Sequence, residues 1–583
     1  MRVVSPRFGA RTPAVNCLGW LALAAAISAC GPSGDAPEPP PQPADPSFSV
    51  VEASFADMQR AMESGAVTSR QIVQMYLDRI ARYEDTLRAT LAVSETALEE
   101  ADALDRERAA GTVRGPLHGI PIALKDIIHT TSMPTTGGAL AFEGYTPPYE
   151  ATLVENLRDA GAVIFAKTTL TELANWVATG MPNNYNAVRG YGLNPYDARP
   201  DPREGLDDGR SVLDTGGSSS GIGTAANLWA ASVGTETSGS IQIPSNQTML
   251  VGIKPTVGRV SRRGVIPITA DQDTPGPMAK YVADAAALLA AMEGTDPQDP
   301  ATGVCETPAD GDYSSHLLSD GLQGARIGIP RTFYYEPTTP PGASEPRGGL
   351  SEAQAAAMSD AIEVLRAQGA EIVDPAEIPS IVATSADDNQ LLFGNCYDYP
   401  QGKGGDDGCS VVMKYGMKRD FNLWLESLGP TAPLPSLTAL REWNLEHEAE
   451  GAIRYGQAEL DISDEMDVDA DRARYEADRA KDLRLTRGEG LDAALDAHDL
   501  DAIFFPWWSG ENIVNKAGYP AVTVPFTTVP IERDPPLPEG FDARPMPFGV
   551  TFIGRSCAEP RLIELAYSFE QATRARRAPP GFP

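Results

Sequence analysis

Histidine is scarce in this chain: five occur in 583 residues, His118, His129, His316, His447 and His498. No two stand at the spacing of HExxH or HxxxH, so a zinc hydrolase has little to build with, and no metal site is expected. Positive charge is also short. Lys and Arg total 47 against 80 Asp and Glu, a net charge of −33. Such a chain has no electrostatic footprint for nucleic acid or anionic lipid headgroups. Long apolar runs are missing: Cys17–Ile27 is too short to span a bilayer comfortably. What is present is an ordinary globular mix, 42% hydrophobic and 22% charged, enough for a large core and against global disorder.

The first segment reads as an address. Arg2, Arg7 and Arg11 precede the apolar run, which ends Ile27-Ser28-Ala29-Cys30. This resembles a bacterial lipobox, with residues 1–29 a leader and Cys30 a lipidated N-terminus; the alternative is an ordinary secretory signal with a chance cysteine. Losing residues 1–29 would remove three arginines and no acid, taking the charge from −33 to −36. Residues 30–48 are a Pro-rich tether, the only expected link to a membrane. Export to a periplasm or cell envelope would be oxidising. Cys396 and Cys409, flanking a Gly/Asp-rich loop, are expected to be bridged; Cys305 and Cys557 cannot be paired from sequence.

From residue 49 onward no linker is evident, so one large domain is expected, with a partly helical insertion at about 300–490. Helical spacing runs through SFADMQRAMESG with a Ser cap, TSRQIVQMYLDRIARYE and the Ser94–Ala110 region. Short apolar runs follow at 120–127, 162–168 and 251–260, alternating with helical stretches. ARIGIPRTF with SEAQAAAMSDAIEVLRAQGAEIV forms another strand–helix–strand unit, residues 501–508 and 547–554 are late strands, and RLIELAYSFEQATRARR is the closing helix. The alternation argues an α/β fold around a central sheet.

Chemistry concentrates in residues 215–245, TGGSSSGIGTAANLWAASVGTETSGSIQIPS. No Lys-Ser/Thr follows the glycines, so this is not a phosphate-binding Walker loop. Gly221-Ile-Gly223 fits a dinucleotide fingerprint loosely, but no strand precedes it and Glu236 comes too soon for a ribose contact. Gly217-Ser-Ser219-Ser-Gly221 fits a nucleophile elbow centred on Ser219, with His498 as base, but LDDGRSVLD is a poor strand and His498 looks like a helix end. A flexible Gly/Ser linker is opposed by helix-like AANLWAA and apolar IQIP.

Five ordered pieces carry a stronger reading: GIPIALKD ending at Lys125-Asp126, GGSSSG, GTETSGSIQIPS, VGIKPTVGRV and ITADQDTPGPM. Together they resemble the amidase signature family, from about residue 50 to the end, with weaker likeness through GYPAVTVPF and GVTFIGR. The resemblance implies a central mixed β-sheet flanked by helices on both faces, and hydrolysis of a small-molecule or peptide amide without cofactor or metal. It also implies a Ser–Ser–Lys triad: Lys125 as base, Ser218 as bridge in a cis peptide with Gly217, and Ser240 as nucleophile. A serine hydroxyl needs a base. A lysine serves only when neutral, so burial must bring its pKa from about 10.4 toward 7–8. Lys125 lies in an apolar strand-like run, while most of the other eight lysines sit in polar contexts. A buried pair with Asp126 is the competing role, weakened because strand neighbours face opposite ways. A non-proline cis bond costs roughly 3–4 kcal/mol and needs surroundings that force it. Backbone N–H groups of Thr237, Ser238 and Gly239 would meet the oxyanion, each worth about 3–4 kcal/mol. Ser219, Glu236 and Trp507 are candidate substrate contacts.

Three departures from the family pattern stand out: the segment between Ser218 and Ser240 is shorter, Gln242 replaces a common Arg that would pair Glu236, and Asp197–Leu213 looks inserted. Asp467-Val-Asp469-Ala-Asp471 imitates an EF-hand start but lacks its Gly and Glu, and reads as a solvated acidic helix. No lysine follows a serine by three positions, which excludes the penicillin-binding arrangement. Export and charge oppose the tRNA-linked role of some family members. An esterase or carbamate hydrolase, and an inactive amidase-fold binding lipoprotein, are the remaining alternatives.

Overall fold

The computed structural model describes residues 48–306 and 311–583. The expected leader, Cys30 and the tether up to residue 47 lie outside the described residues. The domain that follows forms one compact unit.

Its centre is an eleven-stranded sheet. In chain order the strands are β1 (Thr90–Val93), β2 (Pro121–Lys125), β3 (Val163–Thr168), β4 (Ala231–Glu236), β5 (Val251–Lys254), β6 (Thr274–Ala279), β7 (Arg326–Gly328), β8 (Glu371–Val373), β9 (Ala502–Pro506), β10 (Ala521–Val529) and β11 (Met546–Ile553). They lie in the spatial order β1-β3-β2-β4-β6-β5-β10-β11-β9-β7-β8. Pairing is parallel around β2 and between β9, β7 and β8, and antiparallel through the middle. The sheet is therefore mixed. β2, β3, β4 and β9 are buried at every position. This is why β2, β3 and β9 read as apolar runs rather than alternating ones.

Helices pack around the sheet. α1 (Phe55–Glu63) starts at a capping box, Ser54 accepting from Asp57 N–H and Asp57 answering the Ser54 N–H. α2 (Ser69–Leu87) repeats the device with Thr68 and Gln71 and buries Ile72, Val73, Tyr76 and Ile80. α3 (Ala97–Ala109) packs against α2. The 300–490 segment supplies β7 and β8 to one edge of the sheet, with helices Glu352–Ala367, Val412–Ser427 and Arg472–Leu483. Disulfides join Cys305 to Cys557 and Cys396 to Cys409.

Three local features depart from expectation. AANLWAA is not helical: a helix at Ser219–Ala225 ends, a turn follows, and Ala231 begins β4. The cause is the sheet, because Ser232 and Val233 pair with β6 and with β2 and tertiary pairing overrides a weak helical propensity. β6 is also unexpected, since TPGPMA carries two prolines and a glycine. Gly276 is required there: a Cβ would stand 2.2 Å from the Ile253 carbonyl oxygen. The Asp467–Asp471 stretch forms a turn, not a helix, in which Asp467 accepts from the N–H groups of Asp469 and Ala470.

Close packing beside β4 gives a test. A Cβ on Gly223 would fall 2.0 Å from the Trp229 ring. Gly223→Ala should lower stability by about 1–3 kcal/mol, read as a fall in melting temperature; an unchanged melt would refute the tight Gly223–Trp229 contact.

Candidate active site

The site lies where β2 and β4 run side by side. Lys125 ends β2, is fully buried, and pairs in register with Thr168 of β3. Its ammonium donates to Thr235 Oγ1 (3.1 Å) and the Thr235 carbonyl (3.4 Å) on β4. Burial pushes its pKa down to about 7, against the pull of Asp273 and Glu236. Asp126 is not its partner. It pairs instead with Lys167 (3.5 Å) and accepts from the Thr136 N–H (2.9 Å). The two residues thus engage separate partners, as strand alternation requires.

Burial alone does not single out Lys125. Lys167, Lys254, Lys280, Lys414 and Lys516 are buried as well, which corrects the expectation that most lysines occupy polar contexts. Their partners are distant in sequence or are carbonyls, so local composition hid them. Lys167, Lys414 and Lys516 hold carboxylates. Lys254 rests on the carbonyls of Pro255 and Tyr519. Lys280 meets only the Asn227 side-chain oxygen. Lys125, likewise without a carboxylate in hydrogen-bond reach, is set apart by facing Thr235 on β4, the strand that leads to Ser240.

Ser218 lies next to Lys125's neighbours. Its hydroxyl donates to Ser220 Oγ (2.8 Å), which in turn meets Thr168 Oγ1 (2.9 Å), and it caps the helix Ser219–Ala225 by accepting from Ser220 N–H (3.2 Å). The Gly217–Ser218 peptide is trans: among the described residues the cis bonds are Asp374–Pro375 and Asp534–Pro535. The expected cis bond is therefore absent. The capping bond occupies the Ser218 hydroxyl, and a trans peptide avoids the cost of a non-proline cis bond.

Ser240 is partly exposed and abuts this segment: a Cβ on Gly217 would stand 2.6 Å from Ser240 Oγ. Ser240 thus meets the Gly217–Ser218 link, while Ser218 Oγ and Lys125 Nζ are turned to Ser220 and Thr235. No continuous hydrogen-bonded relay joins the three, a looseness common before substrate binds.

The turn carrying Ser240 is clamped from several directions. Glu236, at the end of β4, accepts from the N–H groups of Ile241 (2.8 Å) and Gln242 (2.9 Å) and from the Gln242 side chain. Gln242 therefore keeps contact with Glu236 as a neutral donor. The Thr237 hydroxyl donates to Asp273, and Gln272 donates to the Thr237 carbonyl (3.0 Å). Ser238 donates to Glu511 (3.1 Å). Gly239 has φ +94, and a Cβ there would strike Ile243 at 2.5 Å, so glycine is required. The N–H groups of Thr237, Ser238 and Gly239, the expected oxyanion donors, and that of Ser240 donate to no protein acceptor among the described residues. Such unspent donors at one partly exposed turn suit an anionic oxygen. Burial raises Asp273 and Glu511 to about 7, the charge of Glu236 adding to the rise at Glu511.

Other candidates fall differently. Ser219 is fully buried between Asn184 (2.8 Å) and Thr169. It has no histidine partner, since His498 ends a distant helix and its carbonyl accepts from Arg326. Neither the elbow nor a substrate contact is available to Ser219. Glu236 is likewise fully buried and holds the turn rather than facing solvent. Trp507 is half-buried, stacked on Trp508 at 4.7 Å, just ahead of the helix that begins at Glu511. The inserted segment is braced by Asp197–Arg199, Asp201–Arg203 and Asp208–Arg210 pairs. Beyond it, Asp214 accepts from Gly216 N–H (3.0 Å) and steadies the glycine pair. Sequence reasoning missed Thr235, Asp273 and Glu511. Asp273 stood inside a quoted motif; Glu511 carried no local signal. No group of His, Cys, Asp and Glu among the described residues could hold a metal ion.

Comparison places this geometry in a family. Residues 71–387 match the Amidase family. A probable amidase of Arabidopsis thaliana is 32% identical over 539 residues, covering 91% of this chain and 92% of that one. The native peptide amidase of Stenotrophomonas maltophilia is 36% identical with a TM-score of 0.75, covering 91% of this chain and 98% of that one. A peptide amidase solved with the competitive inhibitor chymostatin is 36% identical with a TM-score of 0.76, covering 91% and 100%. The chain belongs to the amidase signature family. It has that family's α/β fold and is a hydrolase of amide carbon–nitrogen bonds.

The contact at Gly217 supplies a test. Gly217→Ala should displace Ser240 Oγ and cost at least about 100-fold in kcat/KM, with melting temperature little changed. Full activity would refute the close approach.

Proposed function

We propose that the chain hydrolyses amides through an acyl-enzyme on Ser240, with Lys125 as base and Ser218 as proton carrier. The observation that carries this reading is the buried Lys125, held near neutrality with no carboxylate in contact. Ser240 Oγ attacks the amide carbonyl while its proton passes by way of Ser218 to Lys125. The N–H groups of Ser238, Gly239 and Ser240 receive the oxyanion. The proton returns to the leaving nitrogen, and the C–N bond breaks. Water then repeats the sequence on the ester and releases the acid and free Ser240. For this relay Ser218 must exchange its bond to Ser220 for one to Ser240 when substrate is bound. The peptide amidase relatives, one of them solved with chymostatin, favour peptide or amino-acid amides over esters and carbamates as substrates.

The enzyme is further proposed to be exported and anchored through a lipid on Cys30. The lipobox-like Ile27–Cys30 run and the two disulfides support this. Cys30→Ala should release the protein from membranes; retention there would oppose the anchor.

The catalytic reading is tested by fluorophosphonate labelling followed by digestion and mass analysis. Ser240 should carry the adduct, and Lys125→Ala should abolish it; an adduct on Ser219, or none on folded protein, would overturn the assignment. Lys125 gains a proton as pH falls through about 7, so labelling and kcat/KM should fall below that pH. A rate independent of pH from 5 to 8 would remove Lys125 as base.

A further inference from the structure

Two separate segments hold the turn that carries Ser240. Gln272 donates to the Thr237 carbonyl (3.0 Å), and Asp273 accepts from the Thr237 hydroxyl. Glu511, which opens the helix Glu511–Ala517, accepts from the Ser238 hydroxyl (3.1 Å). The distance between these two segments therefore sets how the N–H groups from Thr237 to Ser240 are aimed. A side chain of the 300–490 segment bridges them. Arg479, on the helix Arg472–Leu483, donates through Nη1 to the Lys516 carbonyl (2.8 Å) and through Nη2 to the Asp271 carbonyl (3.1 Å). Its Nε faces the Asp271 carboxylate at 3.4 Å. Lys516 lies on the Glu511 helix, and Asp271 directly precedes Gln272 and Asp273. One planar guanidinium thus joins the main chains of the two holds.

We propose that Arg479 is a positioning residue for amide hydrolysis: by fixing the Asp271 and Lys516 carbonyls on one fork, it keeps the two holds at the spacing that aims the turn at the oxyanion. The inference rests on Ser240 as nucleophile and on the N–H groups of its turn as oxyanion donors. Arg479 acts through the two holds, with no contact of its own to the turn. Its place is fixed from the inserted segment. The Asp271 carboxylate also accepts from the Tyr475 hydroxyl (2.8 Å) and from Arg419 (3.2 Å). Tyr475 shares the Arg479 helix and stacks on Tyr415 at 4.3 Å, with Arg419 over both rings. The Lys516 ammonium reaches back to Asp482 on that helix (2.7 Å). The Arg479 side chain is 15% exposed, so little water competes for its bonds. A lysine cannot stand in, because an ammonium lacks the rigid fork that spans two acceptors at a set separation. Oxyanion donors work only when preorganised, and a small displacement of them is costly. The inserted segment thereby contributes to the rate.

The test uses full-length enzyme and N-acetylphenylalanine amide, with kcat counted per Ser240 that a fluorophosphonate labels at end point. Arg479→Ala should lower kcat and kcat/KM together by about tenfold, with KM within about twofold, the mark of an interaction felt in the transition state. The rate of Ser240 labelling should fall in parallel, since phosphonyl transfer calls on the same donors. Arg479→Lys keeps the charge and the apolar stem but not the fork, and should lose about threefold. It carries the test if Arg479→Ala does not fold. Unchanged kcat per labelled site in either folded variant would overturn the proposal. A raised KM with kcat kept would also overturn it, as a loss of substrate binding. Fewer labelled sites turning over at the normal rate would do the same, since that marks a merely structural role. Absence of Ser240 labelling in the unaltered enzyme would instead overturn the nucleophile assignment, and this inference with it.

Discussion

The arrangement depends on an ammonium group taken out of water without a carboxylate to receive it. Lys125 meets only the hydroxyl and carbonyl of Thr235. Two dipoles cannot replace a hydration shell, so the proton is held weakly and the amine is available as a base near neutrality. The neighbouring Lys167 shows what a counter-ion does. It is equally buried, but it contacts the Asp126 carboxylate and bonds to Ile128 and Thr135, and the charge of Asp126 opposes the lowering by burial. Sheet geometry keeps the two apart: Lys125 engages β4, whereas Asp126 turns to the Thr135–Thr136 loop and Lys167. A single parallel strand therefore sorts one lysine toward chemistry and its neighbour's partner toward structure.

The second constraint is the stiffness of the Glu236–Gln242 turn. A turn must spend most of its polar groups inside the protein to be rigid, yet leave a few N–H groups unspent to bind an oxyanion. Glu236 takes two N–H groups beyond Ser240, Asp273 and Gln272 take Thr237, and Glu511 takes the Ser238 hydroxyl. What remains is the N–H set of Thr237, Ser238, Gly239 and Ser240. Replacing arginine by Gln242 does not loosen this clamp, because two of Glu236's bonds come from the main chain.

The α/β class, most strands and the motifs holding Lys125, Ser218 and Ser240 were legible because those elements are buried on both faces and punctuated by glycine. β4 was not, since its identity is set by pairing with β2 and β6 rather than by its own residues. β6 was hidden by proline. The contact of Glu511 with Ser238 joins residues more than 250 positions apart, and no periodicity encodes such a meeting. The trans Gly217–Ser218 link departs from what the family resemblance implied, and no local sequence signal marks it.

Carboxyl groups crowd a site that must stabilise a developing negative charge, which would be self-defeating if all were ionised. Burial resolves part of the conflict. Asp273 and Glu511 are raised to about 7, so each spends part of its time neutral while keeping its hydrogen bond to the turn. Lys125 titrates in the same range. Raising the pH frees the amine but ionises the two acids, strengthening the field against the oxyanion just as the base becomes available. Lowering it does the reverse. On the proposed mechanism, base strength and oxyanion stabilisation therefore pull in opposite directions around neutral pH. Arg262 beside Asp273 and Lys516 beside Glu511 pull these two acids back toward ionisation, so burial is opposed by cations at both.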